Sequence, residues 1–131
     1  MRLSRSLLAA SLLAVMLAFP AATAFAIKPQ TQPTAVGVAQ REFHITPYRR
    51  SVPVGAVKLN IRNYGEDVHN IVVRGPGGFT AIGPDVDSGS TATWVVKLRK
   101  PGTYSLLCTR ANHLSLGMKS RLKVVKPAAK R

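Results

Sequence analysis

Cys108, His113 and Met118 stand five residues apart, twice in succession. Cys108 is the only cysteine in 131 residues. Met118 is the only methionine beyond the apolar N-terminal segment, and His69 and His113 are two of three histidines. One thiolate, two imidazoles and one thioether make up the donor set of a type 1 copper site. The thiolate is soft enough to stabilise Cu(I), and imidazole suits both oxidation states. The thioether binds weakly and tunes the potential without imposing a flat geometry. A site that half-satisfies both states rearranges little when an electron passes. Zinc accepts Cys and His, but Met is not among its usual ligands. Taken singly, each residue has a plainer explanation: a buried core Cys, a hydrogen-bonded His, a Met that fills space. Their joint arrangement favours the metal.

Such donors need elements that bring them to one point. Residues 103–108 alternate, with Tyr104, Leu106 and Cys108 on one face, and residues 118–126 read as the next strand. The segment from Cys108 to Met118 is then a loop between strand ends. Residues 68–74 form another strand, with His69, Ile71 and Val73 on one face, entered through the turn Asn63-Tyr64-Gly65-Glu66-Asp67. Further strands are predicted over 42–45, 54–62, 79–82 and 91–98. No segment of ten or more residues after the N-terminal run has a helical period. Six or seven short strands broken by Gly and Pro turns predict one all-β domain, an antiparallel β-sandwich, over residues 41–126.

The rest of the chain indicates where that domain works. Arg2 and Arg5 precede an apolar run that ends near Pro20, and small residues follow through Ala24 and Ala26. This is the pattern of a signal peptide over residues 1–26, helical in its apolar run and cut after Ala24 or Ala26. The alternative is a retained anchor, since residues 7–27 just reach spanning length. Residues 27–40, with two Pro, read as a flexible leader, and 127–131 as a basic tail. The chain carries 19 basic and 5 acidic residues. Without Arg2 and Arg5 its charge is about +12. An exported protein does not ordinarily meet nucleic acid, so the charge points to an acidic redox protein or an anionic membrane surface.

The residues also resemble a known family. Glu42-Phe43 before a Pro, the strand start Val54-Gly55, Asn63-x-Gly65, Val68-His69-Asn70, Pro101-Gly102-x-Tyr104, Cys108 and Gly117-Met118-Lys119 follow the order of the cupredoxins, which include plastocyanin, pseudoazurin and rusticyanin. The resemblance spans residues 41–126 and implies a Greek-key sandwich holding one type 1 copper per chain. It implies His69, Cys108, His113 and Met118 as ligands. It also implies a hydrogen bond from Asn70 towards Thr109 that holds the ligand loop, and a docking patch of His113, Leu114 and Leu116. Four residues separate Cys108 from His113, as in rusticyanin rather than plastocyanin. No Pro lies between them, Arg110 puts a charge in the loop, and Ser120 stands where Gly is frequent.

The expectation is therefore an exported, monomeric one-electron carrier in the periplasm or on the outer face of the membrane. A copper-handling carrier is the alternative. A self-contained oxidase needs more His ligands than the one left over, His44. His44 is assigned to the surface or to strand packing. Trp94 and Tyr104 are assigned to the core, with Tyr104 also a candidate corner residue.

Overall fold

A computed structural model describes residues 32–127. The expected signal peptide, the expected leader up to residue 31 and the expected tail from residue 128 lie outside the described residues. The described residues form nine strands: β1 Thr34–Arg41, β2 His44–Pro47, β3 Ser51–Pro53, β4 Gly55–Asn63, β5 His69–Gly75, β6 Phe79–Val86, β7 Thr91–Leu98, β8 Gly102–Leu107 and β9 Lys119–Val125. They form two sheets, ordered β2-β1-β4-β7 and β3-β9-β8-β5-β6. The only helical turn among the described residues is the 3₁₀ turn Pro76–Gly78.

The alternating segments bury the faces their sequence marks. On β4, Val57, Leu59 and Ile61 are buried while Asn60 and Arg62 are exposed. On β9, Leu122 and Val124 point inward and Arg121 and Lys123 outward. With Val36, Val38, Ile71, Leu98 and Leu106 these residues fill the space between the sheets. Burial on this scale is the main source of stability, about 1.5–3 kcal/mol for each large aliphatic side chain.

Three features depart from the sequence reading. First, part of the expected leader is a strand: β1 runs parallel to β4, Gln40 opposite Asn63, and pairs antiparallel with β2. Its buried face is Val36, Val38 and Gln40, with Ala35, Gly37 and Ala39 between them. Small outer residues and a polar inner one hide the two-residue period. Second, the sandwich is not wholly antiparallel, because β1–β4 and β3–β9 are parallel pairs. Parallel neighbours cannot be joined by a tight hairpin. Here the chain leaves the first sheet after β2, adds β3 to the other sheet and returns as β4. Third, β5 is buried continuously from His69 to Val73. Its register against β6 shifts between Asn70 and Val72, and a bulge of this kind disturbs simple alternation.

Gln40, Asn63, His69, Leu107 and Lys119 mark one end of the sandwich. There Gln40 Nε2 donates 2.9 Å to the Asn70 carbonyl and so links the two sheets.

Candidate metal centre

His69 opens β5, and the loop before it is built by Asn63. The Asn63 Oδ1 accepts the Gly65 N–H at 2.8 Å, and its Nδ2 donates to the carbonyls of Asp67 and Val86 at 2.7 and 2.9 Å. One buried amide thus satisfies the loop backbone and sets where β5 begins. Gly65 carries no side chain because a Cβ would collide with the Glu42 carboxylate.

Cys108 follows β8, and Met118 precedes β9. Their backbones meet: Cys108 N–H donates to the Met118 carbonyl at 3.1 Å, and Met118 N–H to the His113 carbonyl at 3.0 Å. Consecutive turns fold the segment between them, with His113 N–H on the Arg110 carbonyl and Gly117 N–H on Leu114. Gly117 has φ 97°, where a side chain would be strained. Asn70 clamps the start of the loop: its Nδ2 donates to Thr109 Oγ1 at 3.0 Å, and its Oδ1 accepts Thr109 N–H at 2.8 Å.

These elements bring the donors together. His69 Nδ1 lies 3.1 Å from His113 Nδ1, and Cys108 Sγ lies 3.8 and 3.5 Å from them. A point equidistant from all three atoms is about 2.0 Å from each, the length of a bond from a transition metal to imidazole nitrogen. His69, Cys108 and Met118 are 0% exposed and His113 4%. Phe43 meets the His113 ring edge-on, with centroids 5.2 Å apart.

The far nitrogens identify which atoms face the metal. His69 Nε2 is 3.0 Å from Glu42 Oε1, and His113 Nε2 is 3.4 Å from Asp67 Oδ2. An ionised carboxylate can only accept, so each Nε2 carries its proton towards one and each Nδ1 presents a lone pair. Two lone pairs 3.1 Å apart repel unless a cation lies between them. The residues therefore fit a bound metal ion. Burial lowers the pKa of His69 below its usual value, opposed by Glu42, which favours the neutral ring that a ligand needs. Glu42 is held below the usual carboxylate range, chiefly by the Asp67 backbone N–H, with burial opposing.

Sequence reading passed over Glu42, Asp67 and Phe43 as participants in the site. The turn and strand patterns that place them say nothing of contacts across the fold. Arg110 is not an isolated charge in the loop: its Nε donates 2.7 Å to Asp85 Oδ1, and the pair forms a salt bridge. The expected patch is uneven. Leu116 is half exposed and Leu114 partly buried, but His113 is screened by its neighbours. His44 is exposed on β2, and Trp94 is partly buried against the core.

A family model for the cupredoxin-like domain matches residues 7–119, a span that includes all four candidate ligands. This chain belongs to the cupredoxin-like family. Solved structures with the same fold include the dithionite-reduced auracyanin of Roseiflexus castenholzii, at 22% identity, covering 72% of this chain and 99% of that one, with a TM-score of 0.59. Auracyanin A, a "blue" copper protein of Chloroflexus aurantiacus, is 18% identical over 72% of this chain and 100% of its own, with a TM-score of 0.57. The periplasmic domain of cytochrome oxidase subunit II of Bradyrhizobium japonicum is 12% identical over 74% and 87%, with a TM-score of 0.55. No curated protein matches the sequence. Within the cupredoxin frame, His69, Cys108 and His113, with Met118, form the donor arrangement of a type 1 copper site.

Proposed function

We propose that this cupredoxin is an exported one-electron carrier whose single copper is held by His69, Cys108, His113 and Met118. The observation that carries the reading is the convergence of His69 Nδ1, His113 Nδ1 and Cys108 Sγ on one buried point. Copper bound there would supply a Cu(I)/Cu(II) couple. The chain's own part is to hold the donors still. The Asn70–Thr109 bonds, the Cys108–Met118 backbone bond and the carboxylates behind each imidazole keep the cage in place whichever charge the metal carries. Handing the ion to another protein would need donors that an incoming ligand can reach, and His69 and Cys108 are sealed from solvent. Of the three histidines only His44 lies outside the cluster, too few for a second copper centre.

Titration of residues 27–131 with Cu(II), followed by visible absorption and electron paramagnetic resonance, tests the assignment. An intense thiolate-to-copper band at one equivalent, absent from Cys108→Ser, is expected. A colourless complex, or a band that survives in Cys108→Ser, overturns it.

The partner in this reading is an acidic redox protein or an anionic membrane surface. Arg74, Lys97, Arg99 and Lys100 crowd the end opposite the donors, with Arg50, Arg121 and Lys123 along a groove beside β9. Such a field makes attraction strongly dependent on salt. Binding to vesicles containing anionic lipid should weaken as salt rises and be absent with neutral lipid. Equal binding to both would rule out an electrostatic contact.

A further inference from the structure

Glu42 stands in the turn between β1 and β2, 27 residues before His69, yet its carboxylate is built into the site. A single oxygen, Oε1, is 3.0 Å from His69 Nε2 and accepts the backbone N–H groups of Glu66 and Asp67 at 2.9 Å each. Gly65 leaves the room it occupies. The same turn carries Phe43, whose ring rests on His113. The β1–β2 turn thus braces both imidazoles from behind, and it does so with a negative charge on the side of His69.

A charge in that place does more than orient a ring. A carboxylate hydrogen-bonded to a ligating imidazole raises its basicity as a ligand. It also lies against a buried ring, close enough for its field to reach the metal although the carboxylate itself is partly exposed to water. The oxidised metal carries one more positive charge than the reduced one, so a fixed anion favours the oxidised form. We propose that Glu42 is a positioning residue that holds the proton of His69 on Nε2, leaves Nδ1 open to the metal and lowers the reduction potential of the site. This rests on the copper reading above.

Glu42→Gln separates charge from shape, because the glutamine oxygen can accept the same three hydrogen bonds. Glu66→Gln removes an equal charge from an exposed neighbour. In the copper-loaded protein, voltammetry should show an upward shift in midpoint potential for Glu42→Gln, clearly larger than for Glu66→Gln. An unchanged potential, or equal shifts in the two variants, overturns the tuning role. In the metal-free protein, nitrogen NMR should find wild-type His69 as the Nε2–H tautomer with a slowly exchanging proton, and Glu42→Ala should lose that protection. A wild-type Nδ1–H tautomer overturns the positioning role. If the wild type shows no thiolate-to-copper band, the copper assignment fails, and the tautomer measurement still decides whether Glu42 positions His69.

Discussion

The two ends of the sandwich are built on opposite principles. Every buried polar side chain among the described residues, Gln40, Asn63, His69, Asn70 and His113, lies at the donor end. So do all five acidic residues of the chain: Glu42 behind His69, Glu66 and Asp67 in the loop before it, Asp85 on Arg110, and Asp87 beside the same surface depression. The opposite end holds no acidic residue. There Phe79 packs edge-on against the buried Tyr104 ring at 5.7 Å, and Tyr104 Oη donates 2.9 Å to the Lys100 carbonyl, four residues upstream. Gly75 leaves space for that ring. One end thus uses apolar packing and a single corner bond. The other takes polar groups out of water, which is costly unless each is paired. Nearly all are paired, and among the described residues the one buried side-chain atom without a partner is Gln40 Oε1. The comparison teaches that stability and function are placed apart. The donor end keeps its geometry through its own links between the sheets, Gln40 to the Asn70 carbonyl and Asn63 to the Val86 carbonyl, together with the apolar core.

The contrast can be broken from either side. Of one substitution at each end, Met118→Leu should have the larger effect on the copper and little on the fold. It keeps a buried side chain of similar volume but removes the weak thioether. Copper should still bind, with the reduction potential raised, because Cu(II) loses a donor. An unchanged potential in voltammetry would remove Met118 from the ligand set. Tyr104→Phe should do the reverse. Losing the bond to the Lys100 carbonyl should cost about 1 kcal/mol, seen as a Tm lowered by roughly 4–8 °C. The copper spectrum and potential should not change, and a shift in either would show that the two ends are coupled.

The smallest expected effect is on pH dependence, and it sharpens the same division. Burial lowers the folded pKa of His69 below its ordinary value of 6.5. Below that pH the unfolded chain binds the proton first, so the metal-free protein loses stability as pH falls. Glu42 is also lowered, from 4.5, so the unfolded carboxylate protonates before the folded one and a second loss follows below that value. Thermal unfolding against pH should fall in both windows, by the same amount in Tyr104→Phe as in wild type. Stability that rises on acidification would contradict both signs.

Much of this was legible beforehand. The β7 boundaries, residues 91–98, match the alternation of Ala92, Trp94, Val96 and Leu98. The strands around Cys108 and Met118 lie within a residue of their expected limits. These segments alternate large apolar and polar residues, and a two-residue period is a local property. β1 was missed because Ala, Gly and a buried Gln carry no such contrast, and its place depends on pairing with β4. β6 extends past the expected residue 82 to Val86. Gly83 and Pro84 weaken the signal there, and pairing with β5 carries the strand on.

The sequence by itself determined the donor types, because one Cys, one internal Met and two His leave few ways to build a soft, weakly axial metal site. It also determined the class of fold, since strand periodicity is written residue by residue. Only the tertiary structure decided what stands behind the donors. Glu42 on His69 spans 27 positions. Asp67 faces His113, and the acidic residues gather at one end although they are scattered along the chain. A hydrogen bond depends on distance in space, and local spacing carries no record of which distant residue the fold will bring within 3 Å.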